Sequence, residues 1–324
     1  MARRGGWRRL GRKRFRYVDA RGNQITDEAE LERIRDLVIP PAWEDVWISP
    51  NPGAKLQATG IDAAGRKQYL YHPSFRAAQE RAKFDRLLDF AYALPALRAR
   101  TAGHLRLGPY DREWACALAI SLVNKAWLRV GSERHARSSR TYGVTTLRKR
   151  HVTVEGDEIA FCFRGKNSRL VRRTLRNATL ARGVEDLLGL PNGSRLFRYE
   201  REGELAVLTA ASLNDYLGEH MGDSFTAKDF RTWGGTLLAA TELEKHEPPT
   251  SETQAKRLLA GVMRTVADEL GNTPAVARES YVSPAVVESF LAGQTLADFR
   301  TRSSRPRGLT QDERALVRLL RSRS

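Results

Sequence analysis

The chain has 324 residues, 41% hydrophobic and 29% charged, a globular composition that excludes wholesale disorder and allows one large domain or two ordinary ones. Lys and Arg number 55 against 38 Asp and Glu, and the resulting net charge of +17 exceeds what solubility requires, so a polyanionic partner is expected. The apolar runs are broken by charge well short of the roughly 20 residues a bilayer span needs, which predicts a soluble chain without a membrane partner.

Residues 1–16 carry eight Lys or Arg and no acid, with Gly5, Gly6 and Gly11 between them, and read as a flexible basic arm. No apolar stretch follows the arginine pairs, so neither a Sec nor a twin-arginine signal is expected. Short strand-like runs come next, at 14–18, 46–48, 55–59 and 67–72, separated by Gly and Pro, and they predict a small antiparallel module. Period-two alternation puts Lys67, Tyr69 and Tyr71 on one face, where two tyrosines are more often core than a ligand contact.

Beyond Pro73, Ser74 can cap a helix whose apolar positions Phe75, Ala78, Ala82, Phe84, Leu87, Leu88 and Ala91 recur at helical spacing. The domain boundary is expected near residue 82, giving units 1–82 and 83–324. The second unit reads as mostly helical with one strand-rich interruption at 144–175. The fold class is therefore α+β: a small N-terminal antiparallel β-sheet domain, then a larger, mainly α-helical domain with a three-stranded sheet. Residues 300–324 are assigned no structure.

Five places in the second unit have sharp local signals. A helix through 114–127 is expected to stop at Gly131, putting Arg129 in its last turn. The interruption forms three strands joined by two hairpin turns, with Lys166 at the tip of the second. Thr226 and Asp229 make a capping box that places Lys228 and Arg231, spaced i and i+3, on one helix face. Ser251 and Gln254 open a helix that Gly271 ends, and Thr273-Pro274 opens the next, so Asn272 is pinned between them. Tyr281 precedes Ser283-Pro284 and is presented from a helix junction. Taken alone, each has an ordinary structural reading: a dipole-complementing Arg, a solubilising Lys, a solvated basic face, a core Tyr.

Other chemistries lack their residues. There is no Gly-x-x-x-x-Gly-Lys-Ser/Thr cradle and no His-Glu-x-x-His, the six histidines never sit at ligand spacing, and the acids are scattered among cations. Cys116 and Cys162 are far apart, which fits a reducing cytoplasm. Neither a nucleotide nor a metal cofactor is expected.

In order and context, Arg129, Lys166, Arg231, Asn272 and Tyr281 resemble the type IB DNA topoisomerases, in particular the small poxvirus and bacterial enzymes. The strings carrying the resemblance are Ile-Pro-Pro-Ala-Trp-Glu-Asp-Val-Trp-Ile at 39–48, Gly-Arg-Lys-Gln-Tyr-Leu-Tyr at 65–71, Tyr-Gly-Val-Thr-Thr-Leu at 142–147, Lys-Asp-Phe-Arg-Thr-Trp-Gly at 228–234 and Gly-Asn-Thr-Pro at 271–274. The resemblance covers nearly the whole chain. It implies a catalytic domain of the tyrosine recombinase/topoisomerase IB type in which Tyr281 attacks a backbone phosphate, giving a 3′-phosphotyrosyl link and a free 5′-hydroxyl. It further implies that Arg129 and Arg231 hold the phosphate, that Lys166 is the general acid with Lys228 in support, and that Asn272 stands where the poxvirus enzymes have His. Asn167 replaces an acid beside the lysine of the poxvirus enzyme. Arg66, Lys67, Gln68, Tyr69 and Tyr71 become expected DNA contacts.

The implied whole is a monomeric clamp on supercoiled double-stranded DNA, in the cytoplasm and associated with the nucleoid, relaxing supercoils of both signs without ATP or metal. Two other readings compete. A tyrosine recombinase shares the nucleophile but carries His three residues before the second arginine, where this chain has Lys228. A non-catalytic basic DNA-binding protein explains the charge and gives the five ordered residues no role.

Overall fold

Strands β1 (Trp7–Leu10), β2 (Arg16–Val18), β3 (Glu44–Ile48), β4 (Leu56–Ile61) and β5 (Lys67–Tyr71) pair antiparallel in the order β2-β1-β3-β4-β5. The computed structural model describes residues 5–11, 14–301 and 308–323, the side chains at 77 and 79–82 apart. The chain divides into Met1–Lys83 and Phe84–Ser324, and helix α2 (Pro73–His104) runs through the division. The first unit also contains helix α1 (Glu28–Asp36), capped by Asp27.

Two features of this unit depart from the sequence reading. Part of the basic arm is a strand: Arg9 Nη2 donates to the carbonyls of Pro40 (3.1 Å) and Trp43 (2.6 Å), and Arg33 lies over the Trp7 ring. Those bonds fix backbone that composition alone marks as free. Arg3, Arg4, Arg12 and Lys13 of that arm lie outside the described residues. Helix α1 is absent from the strand module that the sequence predicts; its surface is largely polar, and Ile34 is its one buried residue, packed with Val46, Ile48 and Ala58.

Helix α2 begins two residues earlier than a Ser74 cap requires. Pro73 takes the first helical position, and the Ser74 amide donates to Nδ1 of His72, which serves as the cap.

The second unit is built around α3 (Arg112–Ala126), whose residues 115–120 are all buried. A helix apolar on every side needs neighbours on every side. They come from α5 (Ala178–Gly189), α6 (Ala210–Met221), α7 (Ala227–Leu243) and the sheet β6-β7-β8 (Val152–Glu155, Glu158–Arg164, Leu170–Arg176). The short helix α4 (Glu133–Ser138), the hairpin β9-β10 (Arg198–Arg201, Glu204–Val207), α8 (Glu252–Leu270), α9 (Pro274–Tyr281), α10 (Pro284–Leu291) and α11 (Gln311–Arg321) complete it. The stretch 144–151 forms two 3-10 turns before the sheet starts.

Helix α3 stops at Ala126, not near Gly131. Trp127 adopts a left-handed backbone (φ 49°) with its indole against α7, where a Cβ on Gly234 would lie 2.3 Å from Nε1. Arg129 therefore follows the helix on an irregular segment. In the C-terminal stretch, residues 311–321 fold as α11. Thr310 and Glu313 form a capping box for α11, and the buried Glu313 accepts from both Arg98 terminal nitrogens (2.7 and 2.8 Å) and from Trp233 Nε1 (3.2 Å). Among the described residues no helix is long and apolar enough to cross a membrane.

Candidate active site

The site forms where the carboxyl end of α8 meets the segment after α3. Gly271 ends α8 in the left-handed region (φ 60°), its amide and that of Asn272 closing on Ala267 and Asp268 carbonyls. Thr273 and Pro274 then start α9, whose last residue is Tyr281. The 129–131 segment pairs with 143–145, the Val144 amide donating to the Arg129 carbonyl at 2.8 Å. A Cβ on Gly143 would lie 2.4 Å from that carbonyl, so only glycine allows the approach.

Arg129 Nη2 reaches across to the Gly271 carbonyl (3.2 Å) and to Asn272 Oδ1 (2.5 Å). Arg231 rises from the second turn of α7 and is almost wholly buried, donating to the carbonyls of Leu270 (2.6 Å) and Trp127. Its Cζ stands 5.2 Å from the centre of the Tyr281 ring. Tyr281 is held by its own backbone: Thr236 Oγ1 donates to its carbonyl at 3.1 Å and accepts the Ser283 amide at 3.2 Å. Gly235 makes room for it, since a Cβ there would meet the Tyr281 carbonyl at 2.8 Å.

The electrostatics favour an anion at this place. Burial pushes the Tyr281 phenol up, but the positive charges of Arg231, then Arg129 and Lys228, outweigh it and hold the group below its usual value. Burial and the neighbouring Arg129 bring Arg231 down to about 10, so it stays cationic at neutral pH. Arg231 Nε and Asn272 Nδ2 are buried without a hydrogen-bond partner among the described residues. An unanswered buried donor costs about 1–3 kcal/mol, and such donors on Arg231, against the Tyr281 ring, and on Asn272, bonded to Arg129, suit a site for an oxyanion. A cavity of about 380 Å³ opens alongside, with Arg129, Arg169, Arg172, Arg173 and Arg231 in its wall.

Residues 72–293 match the family model described as the catalytic core of eukaryotic DNA topoisomerase I, and residues 14–62 match that of the N-terminal domain of bacterial DNA topoisomerase IB. DNA topoisomerase 1B of Acanthamoeba polyphaga mimivirus is 33% identical over 295 residues, covering 88% of this chain and 87% of its own. The chain belongs to the type IB DNA topoisomerases. DNA topoisomerase 1B of vaccinia virus (strain Copenhagen) and DNA topoisomerase I of monkeypox virus are each 22% identical over 259 residues, 78% of this chain and 76% of theirs.

Within this topoisomerase, Arg129, Arg231, Asn272 and Tyr281 come together, and Lys228, exposed on the first turn of α7, acts on the phenol through its charge. Lys166 stands exposed on a tight turn, with Asn167 and Ser168 both left-handed (φ 60° and 56°), and makes no hydrogen bond to any of the four among the described residues. In the first unit, Lys67, Tyr69 and Tyr71 share the exposed face of the edge strand β5. The two tyrosine rings are stacked at 6.3 Å, and Lys67 Nζ lies 5.9 Å from the Tyr69 ring. Arg66 and Gln68 are instead tied to Asp62, whose carboxyl these bonds hold at about 2.

Sequence reasoning passed over Thr236, Gly235, Arg169 and Arg173. The Gly234-Gly235 pair inside a helix was the readable sign, because such a pair weakens a helix unless something must pack close.

Proposed function

We propose that this topoisomerase relaxes positive and negative supercoils in double-stranded DNA by cutting and resealing one strand through Tyr281. The phenol oxygen attacks a backbone phosphorus, the bond to the 5′-oxygen breaks, and a 3′-phosphotyrosyl link remains. Arg129 and Arg231 donate to the non-bridging oxygens, where charge grows in the transition state, and Asn272 Nδ2 adds a neutral donor. Lys166 gives its proton to the departing 5′-oxygen, with Lys228 in support. The phosphotyrosine conserves the energy of the broken diester, so resealing needs neither ATP nor a metal ion.

In this reading residues 1–82 act as the DNA-binding β domain and 83–324 as the catalytic domain. Lys67, Tyr69 and Tyr71 meet the duplex with a cation and two aromatic faces, and Arg66 and Gln68 join them by exchanging Asp62 for phosphate. The enzyme works as a monomeric clamp in a bacterial cytoplasm, on the nucleoid.

The observation that carries the proposal is a phenol held below its usual value by Arg231 and Arg129, with buried donors lacking a partner among the described residues on Arg231 (Nε) and on Asn272 (Nδ2), the residue bonded to Arg129. Denaturing the reaction mid-course should trap protein on a 5′-labelled strand, and Tyr281→Phe should trap none. Adducts on the 3′-labelled strand instead would mean the opposite polarity of cleavage.

A further inference from the structure

Four guanidinium groups converge on the carboxyl end of α8, and only two have a part in the chemistry proposed above. Arg231 bonds the carbonyl of Leu270 and Arg129 that of Gly271. The other two come from the strand side. Arg173 Nη2 donates to the carbonyls of Asp268 (2.8 Å) and Glu269, and Arg169 Nη1 donates to that of Asn272 (2.5 Å). Val171, Arg173 and Leu175 form the inward row of β8, and Arg169, just before the strand, continues it.

Arg169 also closes the turn that bears Lys166. Its carbonyl accepts the Gly165 amide at 2.8 Å, and a Cβ on Gly165 would come within 2.7 Å of Val171. The turn between these two residues, 166–168, is short, with Asn167 and Ser168 in left-handed backbone, so Lys166 is tethered to Arg169 across only two intervening residues. Residue 169 thus bonds at one end to the turn of Lys166 and at the other to the residue that holds Arg129.

We infer that Arg169 is a positioning residue for Lys166: by gripping the Asn272 carbonyl it keeps the 166–168 turn at the phosphate-holding junction, so that the lysine reaches the leaving oxygen. Arg173, bonded deeper on the same helix end, is the fixed point about which the hairpin tip is steered. The inference rests on the reading of Lys166 as general acid.

The test separates the two claims by changing the leaving group. A duplex carrying a cleavage site mapped beforehand is made with either the ordinary 5′-oxygen or a bridging 5′-sulfur at the scissile position. Breaking P–O needs a proton on the departing oxygen, whereas breaking P–S releases a thiolate that needs none. Single-turnover cleavage is measured for wild type, Lys166→Ala, Arg169→Ala, Arg169→Met and Lys166→Ala/Arg169→Ala.

The expected result is that both Arg169 variants lose about 10- to 100-fold on oxygen and recover to within about threefold of wild type on sulfur, as Lys166→Ala does. The double variant should be no slower on oxygen than Lys166→Ala alone, because the two residues act as one unit. Equal loss on both substrates by the Arg169 variants, with Lys166→Ala still rescued, would overturn the positioning role and leave a direct phosphate contact or a purely structural one. Wild-type rates for the Arg169 variants on oxygen would overturn it as well. If Lys166→Ala itself is not rescued by sulfur, the general-acid reading fails and the inference falls with it. Arg169→Met keeps the aliphatic stem, so it carries the test should the alanine variant fold poorly.

Discussion

Tyr281 illustrates how one side chain acquires reactivity from its surroundings. A phenol near its ordinary value of about 10 is a weak nucleophile at neutral pH, and burial alone would weaken it further. Arg231, packed against its ring, and Arg129 beyond it reverse that tendency. Because the phenol is held low, the phenolate fraction should grow with rising pH and single-turnover cleavage should reach its half-maximum below about pH 10. In Arg231→Ala burial dominates, and that half-maximum should move to higher pH while the rate at neutral pH drops by about 10²- to 10³-fold. A half-maximum that does not move would show that Arg231 acts on the phosphate alone. Thr236 works at the same scale by holding the Tyr281 carbonyl, so Thr236→Val should slow cleavage while leaving DNA affinity unchanged in a binding titration.

Among the elements, α7 and α11 decide how rigidly the site is mounted. Gly235→Ala places a Cβ 2.8 Å from the Tyr281 carbonyl, and because helix propensity rises with the change, the variant should fold and yet cleave at least about tenfold more slowly. Normal cleavage by that variant would remove the close approach of α7 from the account. Glu313 ties α11 to α2 and α7. Burial pushes its carboxyl up, but Arg98, the Thr310 amide and Trp233 pull it below the ordinary value. The pair therefore stabilises fully above about pH 4.5 and loses that contribution as pH falls through the lowered value. Arg98 is partly exposed, so Glu313→Ala should cost somewhat less than a fully buried pair, about 2–3 kcal/mol in a denaturant titration at neutral pH.

The elements also show what a sequence discloses. The capping box at Thr226, the Ser251 cap, the Gly271 stop and the Pro274 start are local chemistry, readable residue by residue, and they placed Arg231 and Tyr281 on their helices and Asn272 at the junction of two. Three features escaped because they depend on distant partners. Trp127 turns left-handed since α7 leaves room for its indole at Gly234, which ends α3 early. The 7–10 strand exists because Arg9 is bonded some thirty residues away, and Arg169 gains its meaning only from the Asn272 carbonyl.

Across the whole molecule the excess of +17 divides into a few guanidiniums gathered around Tyr281, of which Arg231 is buried, and many exposed cations. The exposed ones govern salt dependence. Lys67→Ala should reduce the slope of log affinity against log salt by about 0.9, the release of one counterion's worth of contact. Tyr69→Ala and Tyr71→Ala should weaken binding without changing that slope, since stacking releases no counterions. An identical slope for Lys67→Ala would take this strand off the backbone. The central claim is that Tyr281 is the nucleophile that breaks the strand and that the phosphotyrosine link stores the energy for resealing. Plasmid relaxation in EDTA without ATP tests it most directly. Wild type should relax positively and negatively supercoiled plasmid while a folded Tyr281→Phe variant relaxes neither, and relaxation by that variant, or its absence in wild type, would contradict the account.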